Sequence, residues 1–181
     1  MTIVATTPAT WTIDPTHTDV AFSVRHMGLS TVRGRFEKVS GTIATGADGA
    51  PTAIRIEIDT ASVNTGAKDR DAHLRSGHFF DAEANPSITF VSTRVTRRDG
   101  ERFEVAGDLT MRGVTKPVVL DAEIGDPITD PWGLQRRAGT ASAKLNRKDW
   151  GLTWNQILEA GALLVAEDVK LSIDVQATPQ G

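Results

Sequence analysis

The stretch "IRIEID", residues 54–59, decides how the whole chain is read. Ile54, Ile56 and Ile58 alternate with Arg55, Glu57 and Asp59, and a period of two gives an extended segment one apolar and one charged face. "LSIDVQ" at 171–176 repeats the pattern with Leu171, Ile173 and Val175. Phe22 with Val24, Phe103 with Val105, and the run Val118, Leu120, Ala122 and Ile124 continue it. Turn-forming runs separate these segments: "TGADGAP" at 45–51, "RRDGE" at 97–101 and "GDPITDPWG" at 125–133. Asp99-Gly100 suits a tight hairpin, which needs positive φ. Eight strands are predicted near 17–26, 32–44, 53–63, 87–97, 102–111, 117–125, 136–148 and 163–177. Many short strands divided by turns predict a sandwich or a closed barrel.

Two segments break the alternation. Residues 66–80 carry Ala67, Arg70, His73, Leu74 and Gly77 at helical spacing, with Pro86 closing the segment beyond. Residues 154–160, "WNQILEA", predict one or two further helical turns. Repeats, low-complexity tracts and linkers are absent, so a single domain over 11–177 is expected, with a flexible segment at 1–10 and a tail at 178–181.

A chain of 181 residues can bury a core without cross-links. It has no cysteine, which excludes a disulfide framework, an iron–sulfur cluster and a thiol nucleophile. A net charge of -3 and the lack of a basic tract argue against nucleic acid as a partner. The start, "MTIVATTPATW", lacks the cationic residues and apolar run of a signal peptide. The longest strongly apolar run, "ALLVA" at 162–166, is too short to span a bilayer. The expected location is the cytoplasm, with a periplasmic or secreted precursor as the alternative.

Closing the sheet removes the edges on which chains aggregate. Eight strands leave an interior wide enough to be filled by side chains or to hold one small ligand. Gly34, Gly41, Gly107, Gly139, Ala141 and Ala143 are inward candidates whose small size is expected to leave volume. The competing reading is that the glycines serve as bulges or bends that curve the barrel.

Four segments, in order, resemble one family. "WTIDPTHTDVAFSVRHMGLSTVRGRFEKVSGTI" is similar to the opening W-x-I-D-x-x-H-S-x-x-x-F-x-x-x-H and G-x-F-x-x-x-x-G pattern of the YceI-like, polyisoprenoid-binding proteins. "RDAHLRSGHFFDAEANPSITFVS" resembles the family's R-D-x-H-L-x-S-x-x-F-F-D block and the P-x-I-x-F-x-S that follows it. "GDLTMRGVTKPVVL" resembles G-x-L-T-x-x-G-V-T-x-P-V, and "LNRKDWGL" resembles N-R-x-D-F/W-G-L. Each motif is weak alone, but four in order over residues 11 to about 175 are specific. The chain departs at Thr18, where the family usually has serine, and in lacking the signal peptide of periplasmic members.

The resemblance implies an all-β fold: a single antiparallel eight-stranded lipocalin-like barrel with one or two short helical insertions. It implies no resident cofactor and no established catalysis. The implied occupant is a bound lipid such as a polyisoprenoid, an isoprenoid quinone or a fatty amide, and a homodimer is an implied partner. The expected function is binding, sequestration or transport of a long-chain isoprenoid or similar amphipathic lipid. The alternatives are a filled barrel acting in a stress response or a protein interaction, or an enzyme acting on a lipid.

The densest chemistry is "KDRDAHLRSGHFF", residues 68–80, where Asp69, Arg70, Asp71, His73, Arg75 and His78 precede Phe79 and Phe80. His73 and His78, five apart, would point about 140° apart on one helix and could not chelate one ion together. No H-x-x-x-H pair is present. Ser76 lies near His73, but no G-x-S-x-G elbow occurs, and Asp69 and Asp71 would face roughly opposite sides of a helix. A lid fits better than an active site, its polar residues fastening the helix while Leu74, Phe79 and Phe80 turn inward.

An apolar chain in a dry barrel gains about 0.8 kcal/mol per buried CH₂, so each isoprene unit gains roughly 3–4 kcal/mol. The candidate apolar lining is Phe22, Val24, Phe36, Ile56, Ile58, Phe79, Phe90, Leu109, Met111, Trp150 and Trp154. The candidate polar groups, for a head group or for a network tying helix to barrel, are His17, His26, Arg70, Asp71, His73 and Arg147. His26 shares the parity of Phe22 and Val24, and Arg147 that of Ala141, Ala143 and Leu145, so both are expected to face inward. A buried arginine must be paired, and Asp71 is the expected partner. A cationic pair suits a diphosphate, whereas neutral His and Asp suit a quinone or an amide.

Overall fold

The structure, a computed structural model, describes residues 8–181. Strands β1 (Ala9–Ile13) and β2 (Asp19–His26) are two arms of one long strand, broken by a 3-10 turn at Pro15–His17. Asp14 caps that turn, accepting from the Thr16 amide at 2.9 Å. β3 (Ser30–Phe36) and β4 (Val39–Thr45) return beside them, β3 on β2 and β4 on β1. β5 (Pro51–Asp59) pairs with β4, and the short β6 (Val63–Asn64) pairs with β3.

After helix α1 (Lys68–Arg75), β7 (Ser87–Asp99), β8 (Arg102–Met111) and β9 (Val114–Ile124) run as an antiparallel meander. A short hairpin of β10 (Ile128–Thr129) on β11 (Gln135–Asn146) follows. β12 (Val165–Pro179) closes the ring, with β11 along one edge and β2 then β1 along the other. Counting each broken strand once, this is a closed eight-stranded antiparallel barrel.

The alternation of residues 54–59 sets the registers. Ile58 stands opposite Val39 on one side and Ile88 on the other, and Ile56 opposite Gly41 and Phe90. The main core holds Val20, Phe36, Val63, Phe103, Val105, Leu120 and Trp150, with Trp150 only 2% exposed. Burying each such side chain stabilises the fold by roughly 1.5–3 kcal/mol. Trp11, Ile43 and Ala177 form a smaller core at the opposite end of the barrel from α1.

Three expectations need correction. The first strand begins at Ala9, not at 17, because Trp11 and Ile13 bury against β4 and β12. Residues 9 and 10 of the expected flexible segment 1–10 are therefore strand, while 1–7 lie outside the described residues. At the other end β12 runs to Pro179, into the expected tail.

Residues 154–160 are not helical. The Asn155 side chain clamps β12, donating to the Val165 carbonyl at 2.7 Å and accepting from its amide at 3.1 Å. The chain then reverses through a turn, with Ile157 bridged to Leu163 and Gly161 at φ 78°. Tertiary bonds here take the backbone groups a helix would need.

The four inward glycines are closely approached by their neighbours, although Gly139, like Ala141, also borders a small space inside the barrel. A Cβ on Gly34 would lie 2.5 Å from Phe22 Cζ, so the aromatic ring already fills that position. Gly139 is pressed against the Glu123 carbonyl, 2.9 Å from where its Cβ would be. These positions are small so that rings and neighbouring strands can approach.

Candidate functional site

The barrel nevertheless encloses a cavity of about 320 Å³. The walls of β2, β5, β7 and β12 line it, and α1 with the segment after it covers one end. Arg112, at the β8–β9 turn, ties that cover down by donating to the carbonyl oxygens of Gly77 and Phe79. All eleven predicted apolar candidates border the cavity: Phe22, Val24, Phe36, Ile56, Ile58, Phe79, Phe90, Leu109, Met111, Trp150 and Trp154. Leu74 and Phe80 border it too. Sequence reasoning omitted Val169, Leu171, Ile173 and Val175, one continuous wall of β12. Their period-two spacing was the available signal.

Of the polar candidates, His26, Arg70, His73 and Arg147 border the cavity. His17 does not; it sits on the outer surface, where its Nδ1 lies 2.8 Å from Asp14 Oδ2. Asp71 is also absent from the wall. It is buried beside β6, accepting from the Thr65 amide at 2.8 Å and the Thr65 hydroxyl at 2.6 Å. Arg70 completes this fastening, donating to Thr65 Oγ1 at 2.7 Å and Thr65 O at 2.9 Å.

The expected Arg147–Asp71 pair does not form. Arg147 is 6% exposed and donates to backbone carbonyls instead: Ala166 at 2.9 Å, Leu152 at 2.6 Å, Trp154 at 2.9 Å and Val165 at 3.3 Å. Its guanidinium also stands 5.9 Å from the centre of the Phe79 ring. Burial pushes its pKa down while Glu167 pulls it up, and an arginine stays charged throughout. Carbonyl dipoles therefore hold a positive charge in the cavity wall.

His73 and His78 meet, contrary to their expected divergence. The helix ends at Arg75 and the chain folds back, leaving His73 Nε2 2.9 Å from His78 Nδ1. His73 also packs edge-on to Trp154, ring centres 4.6 Å apart. The Ser76 hydroxyl donates to the His73 backbone carbonyl at 2.7 Å and not to its ring. No group of three or more His, Asp or Glu suited to a metal ion occurs among the described residues. Nor is any described helix long and apolar enough to cross a membrane.

A closed eight-stranded meander around an apolar cavity with a few polar groups at one end defines a lipocalin-like barrel. Residues 11–177 match the YceI-like domain, and the chain belongs to that family. A UPF0312 protein of Vibrio cholerae is 35% identical over 159 residues, covering 87% of this chain and 81% of that one. The crystal structure of a Campylobacter jejuni YceI protein superposes with a TM-score of 0.75 at 30% identity, covering 87% of this chain and 90% of that one. A polyisoprenoid-binding domain from Saccharophagus degradans shares the fold, with a TM-score of 0.70 at 17% identity over 94% of this chain and 98% of that domain.

Proposed function

We propose that this protein binds a chain-like lipid, an isoprenoid or a close analogue, inside the barrel and shields it from water without covalent chemistry. The observation that carries the reading is the composition of the wall. Thr18, His26, Arg70, His73 and Arg147 are the cavity's polar side chains apart from the tryptophan indoles, and the Trp150 N–H is taken by the Leu109 carbonyl. The volume lies at the lower end of the roughly 300–1,000 Å³ usual for small-molecule sites. The polyisoprenoid-binding Saccharophagus degradans domain, of the same fold, supports the same class of ligand.

Several polar groups at and beside the cavity, Arg70 and Arg147 among them, are engaged in holding structure, which favours binding over catalysis. Arg147 is spent on carbonyls, Asp71 on Thr65 and Ser76 on a backbone oxygen. Protein purified without detergent, extracted with organic solvent and analysed by mass spectrometry should yield a stoichiometric chain lipid. Protein that is empty, and whose tryptophan emission ignores added isoprenoids, would count decisively against this function.

A further inference from the structure

At the floor of the barrel, away from α1, lies a second cavity of about 60 Å³. A single water needs about 10–15 Å³, so this space admits a larger occupant. Its walls are almost wholly apolar, among them Ile43, Ile54, Val105 and Ile124, yet Arg137 is one of them. Arg137 is 3% exposed. One of its terminal nitrogens donates to the Gly49 carbonyl at 2.7 Å, but its Nε has no protein acceptor. No ion pair among the described residues includes it.

A buried arginine without a carboxylate is costly, because desolvation is not offset by an opposite charge. Arg147 solves the same problem with four backbone carbonyls; Arg137 has one. The neighbouring Trp11 ring lies 5.9 Å from the Arg137 guanidinium, and its indole Nε1 also lacks a protein acceptor. This layer thus holds two orphaned donors, and neither of the orphaned side-chain atoms there is an acceptor. What it lacks is negative charge.

We propose that the floor cavity is a binding site for a small monovalent anion, a halide or a carboxylate, held by the Arg137 Nε–H. Burial lowers the Arg137 pKa, Asp126 raises it and Arg97 lowers it, so the fields of its charged neighbours oppose one another. Asp126 is exposed and makes no ion pair with it. The anion has two sources. It enters free from solution, or it is the terminal carboxylate of a chain reaching down from the larger cavity. Phe90, Leu120 and Val175 border both spaces, which makes the second route short.

The test uses wild-type crystals soaked in sodium bromide, with data collected at the bromine edge. A bromine anomalous peak in the floor cavity beside Arg137 Nε is expected; a water there with no bromine peak overturns the proposal. A second soak follows loading with dodecanoate or, separately, dodecanol, an arm that rests on the lipid-binding reading. Loss of the peak with the acid but not the alcohol identifies the chain terminus as a source, and a peak kept with both identifies the free ion. If neither chain binds, the lipid reading fails while the first soak still decides the anion site. In solution at constant ionic strength, bromide should raise the wild-type Tm but not that of Arg137→Met, and equal responses would overturn the site.

Discussion

The Phe90 ring lies across Gly107: a Cβ on Gly107 would sit 2.4 Å from Phe90 Cζ and 2.7 Å from the Val91 carbonyl oxygen. Phe90 forms part of the wall between the two cavities, so this missing side chain sets where that wall stands. Gly107→Ala should force the ring and strand β7 to shift. Overpacking of this kind costs about 1–3 kcal/mol, read as a lower urea midpoint with an unchanged m-value. An unaltered midpoint would mean that Phe90 is free to turn away.

Arg147→Met should be among the most damaging single changes in the cavity wall. It removes a buried charge and takes the donor from the carbonyl oxygens of Leu152, Trp154 and Ala166, while that of Val165 keeps Asn155. Leaving a buried acceptor unsatisfied costs about 1–3 kcal/mol. Arg147→Lys should recover only part of the loss, since an ammonium has three donors and lacks the planar fork. Chemical denaturation of both variants is the check; equal stability of the methionine variant and the wild type would contradict the carbonyl cage.

Asp14 predicts a stability profile at low pH. Hydrogen bonds from the Thr16 side chain and from His17 hold its carboxyl far below the usual carboxylate range, outweighing the opposing effect of burial. The folded-state pKa is depressed, so the contribution is fully present above the unfolded value near ~3.9 and is lost as pH falls from there through the folded value. Arg136 joins Asp14 at 3.3 Å to Asp130 at 2.8 Å, so protonation also loosens the β10–β11 hairpin. Melting temperature measured between pH 2 and 6 should fall more steeply for the wild type than for Asp14→Asn. Parallel curves would remove Asp14 from the account.

Filling the larger cavity separates lipid binding from folding. Val169 borders that cavity and pairs with Val24 and Leu145 on the neighbouring strands. Val169→Phe should lower the lipid recovered per protein several-fold while Tm holds or rises, because cavity filling commonly adds about 0.5–2 kcal/mol. Unchanged lipid recovery would place the chain elsewhere.

The alternation in "IRIEID", "LSIDVQ" and the run Val118 to Ile124 needed no tertiary information, because a strand's two faces follow from its period alone. It yielded most of the strands and the apolar wall and left a sandwich or a closed barrel open; the family's motifs pointed to the barrel. Parity likewise placed His26 and Arg147 at the cavity. Inside that frame several details ran the other way. Gly34 and Gly107, expected to leave space, turned out to seat aromatic rings, since volume depends on what faces a position as well as on what occupies it.

Partners were the least legible feature. Arg147 and Asp71 looked complementary in one dimension, but Thr65 took the carboxylate and a carbonyl cage took the cation. The meeting of His73 with His78 depended on where α1 stops, and the extended path of 154–160 on the Asn155 clamp to β12. By itself, then, the sequence determined which face of each strand is apolar, because that is a local property of spacing. Only the tertiary structure decided which buried charges find a partner and where the interior stays open, because both depend on backbone groups from strands far apart in the chain.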